Sequence, residues 1–195
     1  MSPREELLGR VVAHLAEHGV GDTSLRTLAE RVGTSHRMLI YHFGSRDGLL
    51  TAVVASTWAR RPQDLEALLT READPLGAAR ALWQRLADEA SLWGPLFFEC
   101  AAAAMQGRAW ASTLRDWVAA WNEVLTEVFL RAGHRPEQAA RNARTALALA
   151  RGALFELCLS GDRVAADELI EGFLSTADHL DGGGHGGQVS TASSS

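Results

Sequence analysis

The sequence predicts an all-α protein, and three observations carry that prediction. Ala, Leu, Arg and Glu, which favour helices, dominate the 195 residues. Only five residues are Pro. Val, Ile, Thr and Tyr nowhere gather into the alternating runs that mark strands. With 47% hydrophobic residues the chain is long enough for a substantial core. No apolar run approaches twenty residues, and the opening Pro3-Arg4-Glu5-Glu6 lacks the basic and then hydrophobic character of a leader. Neither a membrane span nor a secretion signal is expected, and the protein reads as cytoplasmic.

The first helix is expected over residues 3–18, where Leu7, Leu8, Val11, Val12 and Leu15 form an apolar stripe opposite Arg4, Glu5, Glu6, Arg10 and Glu17. His14 and His18, four apart, have a metal-ligand spacing but no third ligand nearby, so the pair reads as a solvated helix edge and no metal is expected. Residues 24–43 then read as two short amphipathic helices meeting at a tight turn. Leu25, Leu28, Ala29 and Val32 recur at helical spacing, Gly33 turns the chain, and Thr34 or Ser35 caps the next helix. Leu39 and Phe43 face inward, leaving His36, Arg37, Tyr41 and His42 on the other face with Arg46 just beyond. No acid interrupts the stretch from Arg31 to Arg46. This is the layout of a DNA-reading helix-turn-helix. A fourth helix, 46–59, capped by Ser45, links this unit to the rest.

At these residues the chain resembles the TetR family of one-component transcriptional regulators. The resemblance rests on Thr23, Leu28-Ala29, Gly33, Ser35, Leu39-Ile40-Tyr41-His42-Phe43, Arg46 and Leu49-Leu50, in register over the motif. Two positions depart from the family pattern: Ile40 stands where a Tyr is usual, with Tyr41 about 100° further around the helix, and Arg37 replaces a small residue. The resemblance implies base-edge contacts from His36, Arg37 and Met38, with Ser35 opening the reading helix. It implies phosphate contacts from Ser24, Arg26, Tyr41, His42 and Arg46.

Beyond residue 60, helices are expected over 63–73, 75–90, 95–106, 110–132, 136–159 and 163–180, with Pro75, Pro95 and Pro136 each at a helix start. Residues 181–195 are Gly- and Ser-rich and are expected to be disordered. The expected division is a DNA-binding domain over 1–60, a helical regulatory and dimerisation domain over 61–180, and the tail. Charge follows it: residues 1–60 hold seven Arg and six acids (+1), and the remainder twelve Arg and eighteen acids (−6). All the basic residues are Arg, which suits phosphate contacts. Cys100 and Cys158, far apart in Ala/Leu-rich surroundings, read as free thiols in a reducing compartment.

All six Trp lie outside the motif. Trp58, Trp83, Trp93, Trp110, Trp117 and Trp121, with Phe97, Phe98 and Met105, either fill the core or line a cavity for an apolar or aromatic ligand. The resemblance favours the cavity. Glu99, Arg108 and Asn122 are the nearest polar candidates for orienting such a ligand. The stretch 146–159 is apolar nearly all round, broken only by Arg151 and Glu156, and must be covered on more than one side. Either the chain's own helices supply that cover or a second copy does, packing through Leu147, Leu154, Leu157, Leu169 and Phe173 in a homodimer, which is what the resemblance implies.

The expected partners are therefore a near-palindromic double-stranded DNA operator, a small-molecule effector and a second copy, with no cofactor. Repression is the expected output, relieved when a ligand changes the spacing of the two reading heads. The competing reading is a helical dimeric ligand-binding or enzyme domain whose helix-turn-helix is only structural. No Ser/His/Asp or Cys/His set with triad-like local context and no Gly-rich phosphate loop supports the enzyme.

Overall fold

The computed structural model describes residues 2–21, 23–58 and 61–179, and every regular element among them is a helix. The first four are α1 (Pro3–His18), α2 (Leu25–Arg31), α3 (His36–Phe43) and α4 (Arg46–Trp58). They are followed by α5 (Arg61–Arg71), α6 (Pro75–Asp88), α7 (Ala90–Met105), a 3-10 turn at Ala109–Ala111, α8 (Thr113–Arg131), α9 (Pro136–Ser160) and α10 (Arg163–His179). Residues 59–60 and the tail over 181–195 lie outside the described residues.

The starts of the early helices are set by side chains. Ser2 accepts the Glu5 N–H at 3.2 Å while the Glu5 carboxylate accepts the Ser2 N–H at 2.8 Å, a reciprocal capping box at α1. The Ser24 and Ser35 hydroxyls cap α2 and α3 by accepting the Thr27 and Met38 N–H groups, without a reciprocal carboxylate, each cap contributing about 1 kcal/mol. Between them Gly33, at φ 70°, carries the turn: Thr34 N–H reaches the Ala29 carbonyl at 2.9 Å and Gly33 N–H the Glu30 carbonyl at 3.3 Å. This closing pattern needs a left-handed residue.

The helix expected to begin at Pro95 begins instead at Ala90, with Pro95 inside it. The missing donor leaves the Ser91 carbonyl without a helical partner, but this is the first turn of α7 and Ser91 is exposed to water. Gly94, which reads in sequence as a breaker, is a packing residue: a Cβ there would lie 2.4 Å from the Cys158 Sγ on α9. Trp110 lies in the 3-10 turn rather than at the start of a long helix.

The buried side chains form one continuous apolar cluster, from Leu7 on α1 to Ala177 on α10. The N-terminal helices are therefore packed onto the body rather than tethered to it. Polar contacts reinforce the packing. Thr51 Oγ1 on α4 donates to the Asp47 carbonyl of its own helix at 2.8 Å and lies 3.4 Å from the Trp110 carbonyl. The Glu99 carboxylate on α7 accepts the backbone N–H groups of Val20 (2.7 Å) and Gly21 (2.8 Å), in the loop between α1 and α2.

Candidate functional site

The face of α3 opposite Leu39 and Phe43 is an open surface of donors. His36, Arg37, Met38, Ile40 and Tyr41 are all exposed, Tyr41 by 78%, while Leu39 is 1% exposed. Rigidity behind this face comes from α1: Arg4 Nε donates to the His42 carbonyl at 3.4 Å, and its guanidinium lies 5.1 Å from the centre of the Phe43 ring. His42 is half-buried with its ring edge-on to Tyr41 at 4.9 Å. Arg26 is exposed on α2, and the exposed Ser24 and Ser35 have their hydroxyls engaged as caps.

Arg46 is placed differently from its expected phosphate role. Its Nε donates to the Thr23 carbonyl at 3.2 Å and its Nη2 to the Gly21 carbonyl, so the guanidinium fastens the α1–α2 loop. That loop is held between Arg46 on one side and Glu99 on the other.

A second site lies inside the body. A cavity of about 90 Å³ sits among α5, α6, α7, α8, α9 and α10. Trp83, Trp93, Phe97, Trp117 and Trp121 line it. Phe98 does not: its ring packs between those of Phe97 (5.1 Å) and Phe155 (5.4 Å). Met105 is 83% exposed near the end of α7, and Trp110 is buried at the 3-10 turn beside α4, so neither reaches the cavity. The side chain of Trp58 lies outside the described residues.

The polar edges of the Trp residues separate into two kinds. Trp83 Nε1 donates outward to Asp167 at 2.7 Å, and Trp93 Nε1 to the Leu86 carbonyl at 3.2 Å. The Trp121 N–H is buried and has no hydrogen-bond partner among the described residues. Of the expected polar candidates, Glu99 turns to the α1–α2 loop and Arg108 is exposed. Asn122 donates to its own helix at the Val118 carbonyl. The charged residue that does line the cavity is Arg151. Its signal in the sequence is its interruption of the apolar run over 146–159.

The residues expected at a dimer face divide as well. Leu147, Leu154 and Phe173 line the cavity and belong to the chain's own core, because α8 and α10 cover that side of α9. Leu157 is half-buried and Leu169 is 44% exposed. Ala148, Gly152, Phe155 and Leu159 are exposed at helical spacing along α9, and Val164 and Leu169 are exposed on α10.

The remaining candidates are quiet. His14 and His18 stack at 4.3 Å, and no group of three or more metal-ligating side chains occurs among the described residues. Burial, with the nearby Glu99 charge, pushes the Cys100 thiol up to about 12, and burial raises that of Cys158. Neither has the lowered value of a reactive thiolate. No helix among the described residues is long and apolar enough to cross a membrane.

Comparison with known proteins bears on both sites. Residues 12–53, from α1 to α4, match the profile of bacterial regulatory proteins of the tetR family. The HTH-type transcriptional regulator BetI of Paraburkholderia phymatum is 26% identical over 133 residues, which is 66% of this chain; the chain spans 57% of that relative's length. A transcriptional regulator from Rhodococcus sp. Rha1 has the same fold with a TM-score of 0.73 at 22% identity, over 91% of this chain and 98% of that one. So does Thermus thermophilus FadR, a TetR-family transcriptional repressor in complex with lauroyl-CoA, with a TM-score of 0.63 at 16% identity over 91% and 95% of the two chains.

Proposed function

Because this chain belongs to the tetR family of bacterial regulatory proteins, we propose that it is a transcriptional repressor which binds a near-palindromic operator as a homodimer and leaves it when a small apolar or aromatic molecule occupies the cavity. The observation that carries this reading is the α3 surface. Arg37 and Tyr41 project from a helix whose other side is locked into a core, and acids are absent from residues 31 to 46. In this reading His36, Arg37 and Met38 meet base edges, while Ser24, Arg26, Tyr41 and His42 meet phosphates. Arg37 suits the O6 and N7 acceptors of a guanine.

A homodimer places two copies of α3 in successive major grooves, roughly 34–36 Å apart. The strip along α9 and α10 offers the second copy an apolar face, and a dimer seated on a promoter obstructs polymerase without needing to contact it. Residues 1–60 then act as the reading head and 61–180 as the sensing and pairing body. The Glu99 contact to the α1–α2 loop gives movements of α7 a path to the head. A ligand switches the protein only by binding one head spacing several kcal/mol more tightly than the other. A cavity of about 90 Å³ is smaller than the ~150 Å³ that accommodates benzene in an engineered protein core, so a ligand of any size must move its walls.

The test is fluorescence anisotropy at physiological salt, titrating the protein into a labelled duplex from immediately upstream of its own gene with excess unrelated DNA. Saturable nanomolar binding is the expected result. If neither this duplex nor any sequence recovered by selection from random DNA competes better than unrelated DNA, the α3 surface is scaffold and the repressor reading fails.

A further inference from the structure

The cavity wall is apolar except at Arg151, the one charged side chain that lines it among the described residues. Arg151 is half-buried, its Nε donates to the Leu147 carbonyl one turn earlier at 3.0 Å, and no carboxylate among the described residues pairs with it. The contrast with Arg80 and Arg163 is direct, since both are held by acids at the surface. Burial lowers the Arg151 guanidinium below its ordinary value, as happens to a cation that loses water and gains no counter-charge. It stays charged nonetheless, because arginine does not deprotonate in proteins.

A half-buried cation is ordinarily paired, since burying a charge without compensation is unfavourable. A second group points the same way. Trp121 also lines the cavity, is 4% exposed, and its N–H has no acceptor among the described residues. The unpaired cation and the unmet N–H are both donors, and no acid lines the wall among the described residues.

Resting on the reading of this cavity as the effector site, we propose that the effector is an apolar monoanion: a carboxylate on a single aromatic ring or short alkyl chain, with its oxygens on Arg151 and its apolar part among the Trp side chains. Guanidinium and carboxylate match in a two-bond geometry, and the ring or chain takes the place of packing that the cavity lacks. An alcohol of the same shape forgoes the ionic contact, and an ammonium is repelled by Arg151.

The experiment is calorimetric titration of the full chain with 3-phenylpropanoate, 3-phenylpropanol and 3-phenylpropylammonium. The wild type should bind the carboxylate at least tenfold more tightly than the alcohol, and the ammonium most weakly. Arg151→Met should abolish the preference for the carboxylate over the alcohol, and Arg151→Lys, which keeps the charge, should retain part of it. Equal or tighter binding of the alcohol or ammonium by the wild type overturns the inference, as does a carboxylate preference that survives in Arg151→Met. If all three bind without charge preference, the anion inference alone fails. If none binds, the effector-cavity reading fails and takes the inference with it. Should Arg151→Met not fold, the wild-type ranking and Arg151→Lys decide.

Discussion

Arg37 and Gly94 are opposite cases at the scale of the residue. Arg37 is exposed on the outer side of α3, so Arg37→Ala should leave stability within about 0.5 kcal/mol while weakening duplex binding by about 1–3 kcal/mol, if the side chain meets a base edge. Matched urea denaturation and anisotropy titrations measure the two, and unchanged affinity would remove Arg37 from the interface. Gly94 is silent toward DNA and tight in the core. Helix propensity alone predicts that Gly94→Ala stabilises by about 1 kcal/mol. The Cys158 Sγ, 2.4 Å from the new Cβ, reverses that sign, since overpacking destabilises by about 1–3 kcal/mol. Removing the sulfur with Cys158→Ala should therefore turn Gly94→Ala from destabilising to neutral or stabilising. A double-mutant cycle with no coupling would mean that α7 and α9 do not meet there.

At the scale of the element, the contact between α7 and the α1–α2 loop joins the N-terminal helices to the body. The Glu99 carboxylate receives two backbone N–H groups, and hydrogen bonds to a charged acceptor are worth about 1.5–3 kcal/mol. Glu99→Ala should speed hydrogen exchange of the Val20 and Gly21 amides by about tenfold or more relative to amides buried in α9, and unchanged protection would show that packing alone holds the loop. This contact could not be read from the sequence, because nothing local in Phe98-Glu99-Cys100 says that its partner lies some eighty residues earlier. The helices of the head were legible for the opposite reason: Ser24, Ser35 and Gly33 act on neighbours within five residues, so composition and spacing identify them. The body was legible as helices but not as surfaces. An apolar stretch such as 146–159 does not reveal which residues face a cavity and which face out: Leu147 and Leu154 line the cavity, while Phe155 and Leu159 are exposed. Pro95 and Gly94 misled for a related reason, since a proline near a helix start and a glycine at a close approach look like a break until the neighbouring helix is in place.

For the whole molecule, charge and symmetry combine into one measurable quantity. The chain carries a formal charge of −5, with the positive excess confined to its first 60 residues, so DNA binding must come from a few local phosphate contacts set against an unfavourable background. Each phosphate neutralised lowers log K by about 0.9 per tenfold rise in salt, and a dimer doubles the number neutralised in one binding event. The proposed pairing face contains Leu159, 71% exposed, and Val164, 67% exposed. Replacing both with Glu puts like charges across the two-fold axis while touching little of the core. Leu159→Glu with Val164→Glu should therefore give a folded monomer by sedimentation, with operator affinity lowered by more than 100-fold and a salt slope about half that of the parent. Retention of the parent slope would mean either that one head does all the binding or that the copies pair elsewhere. Sedimentation of the same variant separates the two: a surviving dimer moves the interface away from α9 and α10, and a monomer with the full slope removes the need for pairing altogether.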